Sequence, residues 1–309
     1  MSTDGGHAHA GGEVRIGDLT VHRLGFGAMQ LTGRGVWGEP RDPDEAIRVL
    51  RRAVDLGVDF IDTADSYGPD VSERLIRAAL HPYPGGLVIA TKAGLVRPGP
   101  DQWRPAGRPE HLRRQCERSL EKLGLTRIDL FQLHRIDPAV PLADQLGELV
   151  RLQQEGKIRH IGLSEVTVEQ LVEARQHATI VSVQNLYNLF TRTAEPLLAR
   201  AEADGIAFIP WCPLGSGALA DERSPLQRIA RERDVAPSQL ALAWLLHRSP
   251  VMVPIPGTSS VAHLEQNTAA ASIELTDGEV AELGDLVGGS RLERGRRALG
   301  RLMRGRGRG

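Results

Sequence analysis

Four ionisable side chains stand where short apolar runs stop: Asp62 in FIDTADSYG, Tyr67 five residues later, Lys92 at the end of LVIATK and His134 at the end of IDLFQLH. An apolar run that halts at a single titratable group has the form of a buried parallel strand delivering that group to its carboxyl end. Taken alone, each residue has a plainer explanation: Asp62 caps a turn, Lys92 emerges to solvent, His134 bonds to core backbone and Tyr67 shields a strand end. Taken together, three strands would have to bring polar groups to one rim by accident, and an unpaired charge buried there is costly.

A carboxylate, a phenol, an ammonium and an imidazole in one place can deliver a proton to an oxygen on which negative charge is growing, as when a carbonyl is reduced. A free phenol ionises at about pH 10, so a neighbouring cation is expected to bring Tyr67 down by roughly two units. Lys92 is that neighbour, Asp62 would keep it charged and oriented, and His134 would donate a hydrogen bond to the carbonyl oxygen.

The elements that must hold these groups alternate along the chain. EVRIGDLTVHR (13–23) alternates around a Gly-Asp turn, which predicts an antiparallel hairpin that plugs one end of the core. Eight apolar runs then alternate with amphipathic helical stretches, beginning with LGFGAM before PDEAIRVLRRAVDLG and ending with VMVPIPG before SVAHLEQNTAAA. Gly57, Gly124, Gly156 and Gly205 suit positions just past helix ends, and Pro43, Pro109 and Pro237 suit first helical turns. Eight strand-helix units with right-handed crossovers close into an α/β fold, the (β/α)8 TIM barrel, with active groups at the carboxyl ends of the strands. An open doubly wound sheet fits less well, because Gly25 and Gly27 are not followed by the third glycine of a dinucleotide fingerprint.

The chain has 309 residues, a length that α/β barrels commonly use for one domain. Its 38 basic and 39 acidic residues leave a net charge of −1, which points to neither nucleic acid nor membrane as partner. Cys116 and Cys212 form no metal or disulfide pattern, no metal site is indicated, and no apolar stretch is long enough to span a bilayer. The leader MSTDGGHAHAGG (1–12) lacks the form of a secretory signal and is expected to be disordered, with the barrel over 13–288 and the protein in the cytoplasm. The tail, 289–309, carries eight arginines from Arg291 onward without interleaved aromatics and reads as solvated, disordered chain. The stretch GLVRPGPDQWRPAGRPE after Lys92 is a candidate wall for the mouth of the site.

These motifs closely resemble those of the aldo-keto reductase family. FIDTADSYG matches the family signature, Thr91-Lys92 its lysine and Gln132 to His134 its histidine, and the resemblance runs from Leu24 to Asn267. It implies a barrel that binds a nicotinamide cofactor without a Rossmann domain. It further implies cofactor contacts at Gly27, Ala28 and Met29 beneath the ribose, Trp211 stacked on the nicotinamide, and Ser164 and Gln184 at the carboxamide. Cys212, Leu214 and Ser216 would lie at the pyrophosphate, with Thr258, Ser259, His263, Gln266 and Asn267 at the adenosine.

Many relatives have Ser-Asn where this chain has Ser164-Glu165, and others carry Lys and Arg where it has Gly257 and His263. Losing two cations weakens the grip on a 2′-phosphate, yet family habit and the hydroxyls of Thr258, Ser259 and Ser260 still imply NADPH, with NADH not excluded. The segments RLGFGAMQLTGRGVWGEPRD, DSYGPDVSERLIRAALHPY and IPGTSSVAHLEQN are most similar to those of bacterial pyridoxal reductase-type members. Pyridoxal, a planar aromatic aldehyde, is thus the sharper substrate expectation, with Trp37 and Trp103 as flat walls or, equally, as loop packing. Two other readings carry weight: a cofactor-sensing partner module like potassium-channel β subunits, distinguished by very slow turnover, and a tailoring ketoreductase of secondary metabolism. The sequence does not specify an oligomeric state.

Overall fold

The computed structural model describes residues 7–215, 219 and 224–286. Strands β1 (Glu13–Ile16) and β2 (Leu19–His22) form the expected antiparallel hairpin. Seven short parallel strands follow, β3 (Phe26–Gly27), β4 (Phe60–Asp62) and β5 (Val88–Ala93), then, after a small hairpin of β6 (Leu95–Val96) and β7 (Arg104–Pro105), β8 (Ile128–Leu133), β9 (Ile158–Ser164), β10 (Ile180–Leu186) and β11 (Ala207–Trp211). Each of the seven pairs with its neighbour in that order. The eighth stave is the segment around Met252: on one side Phe208 N donates to Val251 O and Val253 N donates to Phe208 O, each at 2.8 Å, and on the other Gly25 N donates to Pro254 O at 2.9 Å. The ring is thereby closed and no edge is left open.

Sequence-local signals set the helices that wrap the ring. In α1 (Pro43–Asp55) the Asp42 side chain accepts from Glu45 N, Pro43 occupies the first turn, and Ala46, Val49, Leu50 and Ala53 form the buried stripe. In α3 (Pro109–Leu123) a proline starts the helix and Gly124, at φ 67°, ends it. Outside the ring also run α2 (Val71–Leu80), α4 (Leu142–Gln154), α5 (Val168–Ala174), α6 (Glu195–Ala203), α7 (Pro225–Glu232), α8 (Pro237–Arg248) and α9 (Val261–Ala269). A further helix, α10 (Asp277–Gly284), has no counterpart in the repeat and is set by a capping box between Thr276 and Glu279.

Side chains alternate between the ring interior and the helices, so each strand carries an inward series of every second residue. Phe60, Val88, Ala90, Leu130, Ala207, Ile209 and Val253 form one buried cluster with Val14, Ile16 and Val21 of the hairpin, which therefore seals the amino-terminal end. Asp18, at the hairpin turn, is tied to the start of β9 by Arg159 at 2.6 Å and His160 at 2.5 Å. Continuing two residues at a time, the same series read Asp62, Lys92, Gln132 and His134, then Ser164 and Gln184: an apolar floor gives way to a polar top.

Residues 1–6 of the leader lie outside the described residues, and the rest differs from expectation. His7–Gly11 form a 3-10 turn in which Ala8 is fully buried and its N–H donates to Leu56 O at 3.2 Å. A methyl side chain fits against the end of α1, and His9 Nδ1 meets His22 Nε2 at 2.5 Å, so these residues gain partners that composition does not reveal. The arginine-rich tail lies outside the described residues. Among the described residues no helix is long and apolar enough to cross a membrane.

The closing seam is tight. A Cβ at Gly25 would lie 2.8 Å from Phe60 Cδ1 and 2.9 Å from Phe60 O, whereas one at exposed Gly85 would meet nothing. Gly25→Ala is expected to cost about 1–3 kcal/mol in denaturant unfolding, against little change for Gly85→Ala; equal midpoints for the two variants would contradict this closure.

Candidate active site

Lys92 ends the inward series of β5 and is completely buried. Its ammonium donates to Asp62 Oδ1 at 2.6 Å, to Thr63 O at 2.7 Å and to Tyr67 Oη at 3.2 Å, which uses its three protons. The second carboxylate oxygen, Asp62 Oδ2, accepts from Gln132 Nε2 at 3.0 Å and Gln184 Nε2 at 2.9 Å. Burial pulls the Lys92 pKa down, but Asp62 and Tyr67 more than offset it, and the group lies above its ordinary value. It is a permanent cation inside the ring.

The effect on Tyr67 runs opposite to the expectation from sequence. Burial raises the phenol pKa more than Lys92 lowers it, with Asp62 adding to the rise, so Tyr67 is a neutral, proton-bearing phenol. The sequence shows the cation but not the depth of burial, and depth decides the sign.

His134 completes the group. Its ring centroid is 5.9 Å from that of Tyr67, edge to face, and Ser66 Oγ lies 3.3 Å from Nδ1. Burial first, then Lys92, Arg135 and Arg97, hold its pKa well below the ordinary value, so the imidazole is neutral. A Ser66 hydroxyl that donates to Nδ1 would place the ring proton on Nε2, where it can serve as a hydrogen-bond donor. All four expected residues thus meet in one place.

Trp103 joins them. Its ring lies 6.4 Å from Tyr67 and 6.2 Å from His134, centroid to centroid, and forms a wall over both. Trp37 is more exposed, and its ring centroid lies 5.8 Å from the Arg97 guanidinium. The segment after Lys92 folds back through a small hairpin, β6 (Leu95–Val96) with β7 (Arg104–Pro105), which carries Trp103 inward.

The residues expected to hold a cofactor divide into several groups. Trp211 tops β11 with its indole N–H donating to Glu165 Oε1 at 2.6 Å, and the same oxygen accepts from Leu186 N at 2.7 Å. Glu165 therefore holds the aromatic ring instead of replacing the amide found at this position in many relatives. Ser164 is buried and accepts from Arg135 Nη1 at 3.0 Å; Gln184, whose amide nitrogen is committed to Asp62, offers its carbonyl oxygen. Gly27 and Ala28 are buried and Met29 is exposed, while Cys212 and Leu214 are half-buried on the following loop. Ser216 lies outside the described residues. Thr258 and Asn267 are buried; Ser259, on the segment leading into α9, and His263 and Gln266, within it, are exposed. A Cβ at Gly257 would sit 2.6 Å from Gly27 O, so the backbone crossing itself excludes a larger residue there. A fixed aromatic face beside a hydroxyl and an amide carbonyl suits a flat ring bearing a carboxamide, so this donor set fits a nicotinamide.

Several residues here escape a reading of motifs. Gln132 braces Asp62; Arg135 stands beside Ser164; Arg97 lies over the Trp103 ring. Behind the lysine, Asp65 is buried and pushed up to about 7 by burial and by Glu73, with Gln115 bonding it at 2.7 Å. Asp65 sits inside the recognised motif, but its partners come from α2 and α3, which sequence proximity does not show.

Known proteins resemble this chain in sequence and fold. The aldo/keto reductase family model matches residues 23–287. The chain is 54% identical over 276 residues to an uncharacterized oxidoreductase of Schizosaccharomyces pombe, covering 89% of this chain and 90% of that protein. It is 45% identical over 268 residues to pyridoxine 4-dehydrogenase of Escherichia coli, covering 85% and 93%. Among solved structures, an aldo-keto reductase of Klebsiella pneumoniae in complex with NADPH superposes with a TM-score of 0.77 at 28% identity, over 89% of this chain and 94% of that one. The glycerol dehydrogenase of Gluconobacter oxydans gives 0.78 at 28% identity, over 90% and 95%. A closed barrel with this buried tetrad, matched along nearly its whole described length, places the chain in the aldo/keto reductase family, as an oxidoreductase.

Proposed function

We propose that this protein reduces an aldehyde or ketone with NADPH, using Tyr67 as the proton donor, and that its substrate is a flat aromatic aldehyde of the pyridoxal kind. The observation that carries the chemistry is Lys92 Nζ at 3.2 Å from a neutral, buried Tyr67 hydroxyl. The likeness to E. coli pyridoxine 4-dehydrogenase and the indole wall of Trp103 support the substrate class. Bound NADPH supplies the hydride.

The protein's part is to hold the carbonyl and move one proton. In this reading His134 Nε2–H and the Tyr67 hydroxyl both donate to the substrate carbonyl oxygen, and a neutral imidazole adds a hydrogen bond without competing for the proton. As charge grows on the substrate oxygen, the phenol proton crosses to it. The phenolate left behind stands beside Lys92, whose charge is held by Asp62, so the cation stabilises the state that follows transfer more than the one before it.

Tyr67→Phe is expected to lower the reduction rate by about two to four orders of magnitude while leaving NADPH binding, followed by fluorescence, nearly unchanged. Purified protein assayed by NADPH absorbance against pyridoxal and simpler aldehydes tests both halves, and a variant with wild-type turnover would remove Tyr67 as donor. The pH profile provides a second check. The active phenol is protonated and its pKa is raised, so kcat/KM should hold through about pH 9 and fall only as pH climbs beyond about 10. His134 is neutral throughout, so a limb near pH 6.5 that disappears on replacing His134 would be evidence against this assignment.

The start of α9, beside the expected adenosine contacts, is occupied by a carboxylate: Val261 N donates to Glu45 Oε1 at 3.2 Å. A 2′-phosphate brought to this helix end would meet like charge. Glu45→Gln should therefore tighten NADPH several-fold relative to NADH, measured by equilibrium binding; an unchanged ratio would show that the phosphate lies elsewhere.

A further inference from the structure

We propose that Arg97 is the positioning residue of the substrate pocket: by gripping the loops after the first three barrel strands, it fixes the Trp103 indole against Tyr67 and His134 and so selects flat aromatic aldehydes. This rests on the carbonyl-reducing function given above.

One guanidinium reaches three loops. From the loop after β5, Arg97 Nη2 donates to Gly35 O at 2.7 Å, Nη1 to Val36 O at 2.7 Å and to Ser66 O at 2.9 Å, and Nε to Gln102 O at 2.8 Å. Gly35 and Val36 belong to the loop after β3, and Ser66 to the loop after β4. The planar group also lies 3.6 Å from the Trp103 ring centroid and 5.8 Å from that of Trp37, so it contacts the face of the first and neighbours the second.

The acceptors are informative. Val36, a β-branched residue, is held at φ 54°, a conformation that persists only where the surroundings enforce it. Gly35 O also accepts from Asp101 N at 3.0 Å, which binds the first loop to the third a second time. Ser66, whose carbonyl Arg97 holds, is the residue whose hydroxyl faces His134 Nδ1. A single side chain thus sets the indole wall and steadies the partner of the imidazole. Burial lowers the Arg97 pKa to about 10, which leaves it cationic at neutral pH. A lysine ammonium cannot satisfy four diverging carbonyls or lie flat on an indole, so the role depends on the planar fork.

The test uses Arg97→Lys and Arg97→Gln in the full chain, with folding followed by circular dichroism. Acrylamide quenching of the Trp103 emission, taken as the difference between proteins with and without Trp103→Phe, should rise in both variants. KM for pyridoxal or benzaldehyde should rise at least about tenfold, with KM for propanal rising by a clearly smaller factor and the Kd for NADPH within about threefold of the parent. Unchanged quenching, or increased quenching with an unchanged aromatic KM, would overturn the proposal. The quenching result stands independently of turnover: if the parent protein reduces no aldehyde, the functional reading fails while the Arg97–Trp103 link is still decided.

Discussion

A fully buried ammonium is the constraint around which this protein is built. Taking Lys92 out of water carries a desolvation penalty of several kcal/mol, and an ion pair offsets that only when every proton and lone pair is also satisfied. Here they are: Asp62, Thr63 O and Tyr67 take the three lysine protons, while Gln132 and Gln184 fill the other face of the carboxylate. Those partners come from β4, β8, β10 and the loop after β4, so the charge can be accommodated only in a ring that brings distant strands together. The polar upper half of the barrel is therefore tied to closure of the lower half, where the hairpin residues Val14, Ile16 and Val21 complete an apolar floor.

The same burial sets the protonation of the neighbours. Around Lys92 the environment favours neutral forms, keeping the proton on Tyr67 and off the second nitrogen of His134. A cation next to a phenol is often taken to mean a readily ionised phenol, and in water it would. Inside this ring the desolvation of a phenolate outweighs the attraction, so the proton is retained until charge on a nearby oxygen draws it off. Stability and reactivity thus have one source: the low-dielectric interior that makes Lys92 costly also makes its field effective at 3.2 Å.

Much of this is legible in the sequence because strands alternate strictly. Once a run such as LVIATK is assigned to a buried strand, the residue at its end is assigned to the rim, and three such runs identify Asp62, Lys92 and His134 together. Reading fails where the deciding quantity is three-dimensional. The direction of the Tyr67 shift depends on depth, and the order of His7–Gly11 depends on a gap that Ala8 fits. Arg97 in GLVRPGP carries no motif, since its acceptors are backbone carbonyls and any residue supplies those. By contrast, α10 was available from the Thr276–Glu279 capping pattern alone, and a repeat-based parse passes over it because it adds a helix with no strand.

The departures from the family pattern follow the same logic of compensation. Glu165 stands where an amide is common, and a carboxylate at the top of a barrel would be unfavourable unless bonded. It is bonded by the Trp211 indole N–H and Leu186 N, and Arg135 interacts with it electrostatically from beside Ser164. The substitution is thus coupled to the aromatic it holds: a tyrosine or phenylalanine at 211 would offer no indole N–H, and Glu165 would lose its shortest partner. Gly257 is coupled in the same way to Gly27, whose carbonyl occupies the space a longer side chain would need. Variation at this rim is therefore paired, each unusual residue matched by a second one that makes it tolerable, and exchanges of single residues toward the common pattern would break pairs before they restored contacts.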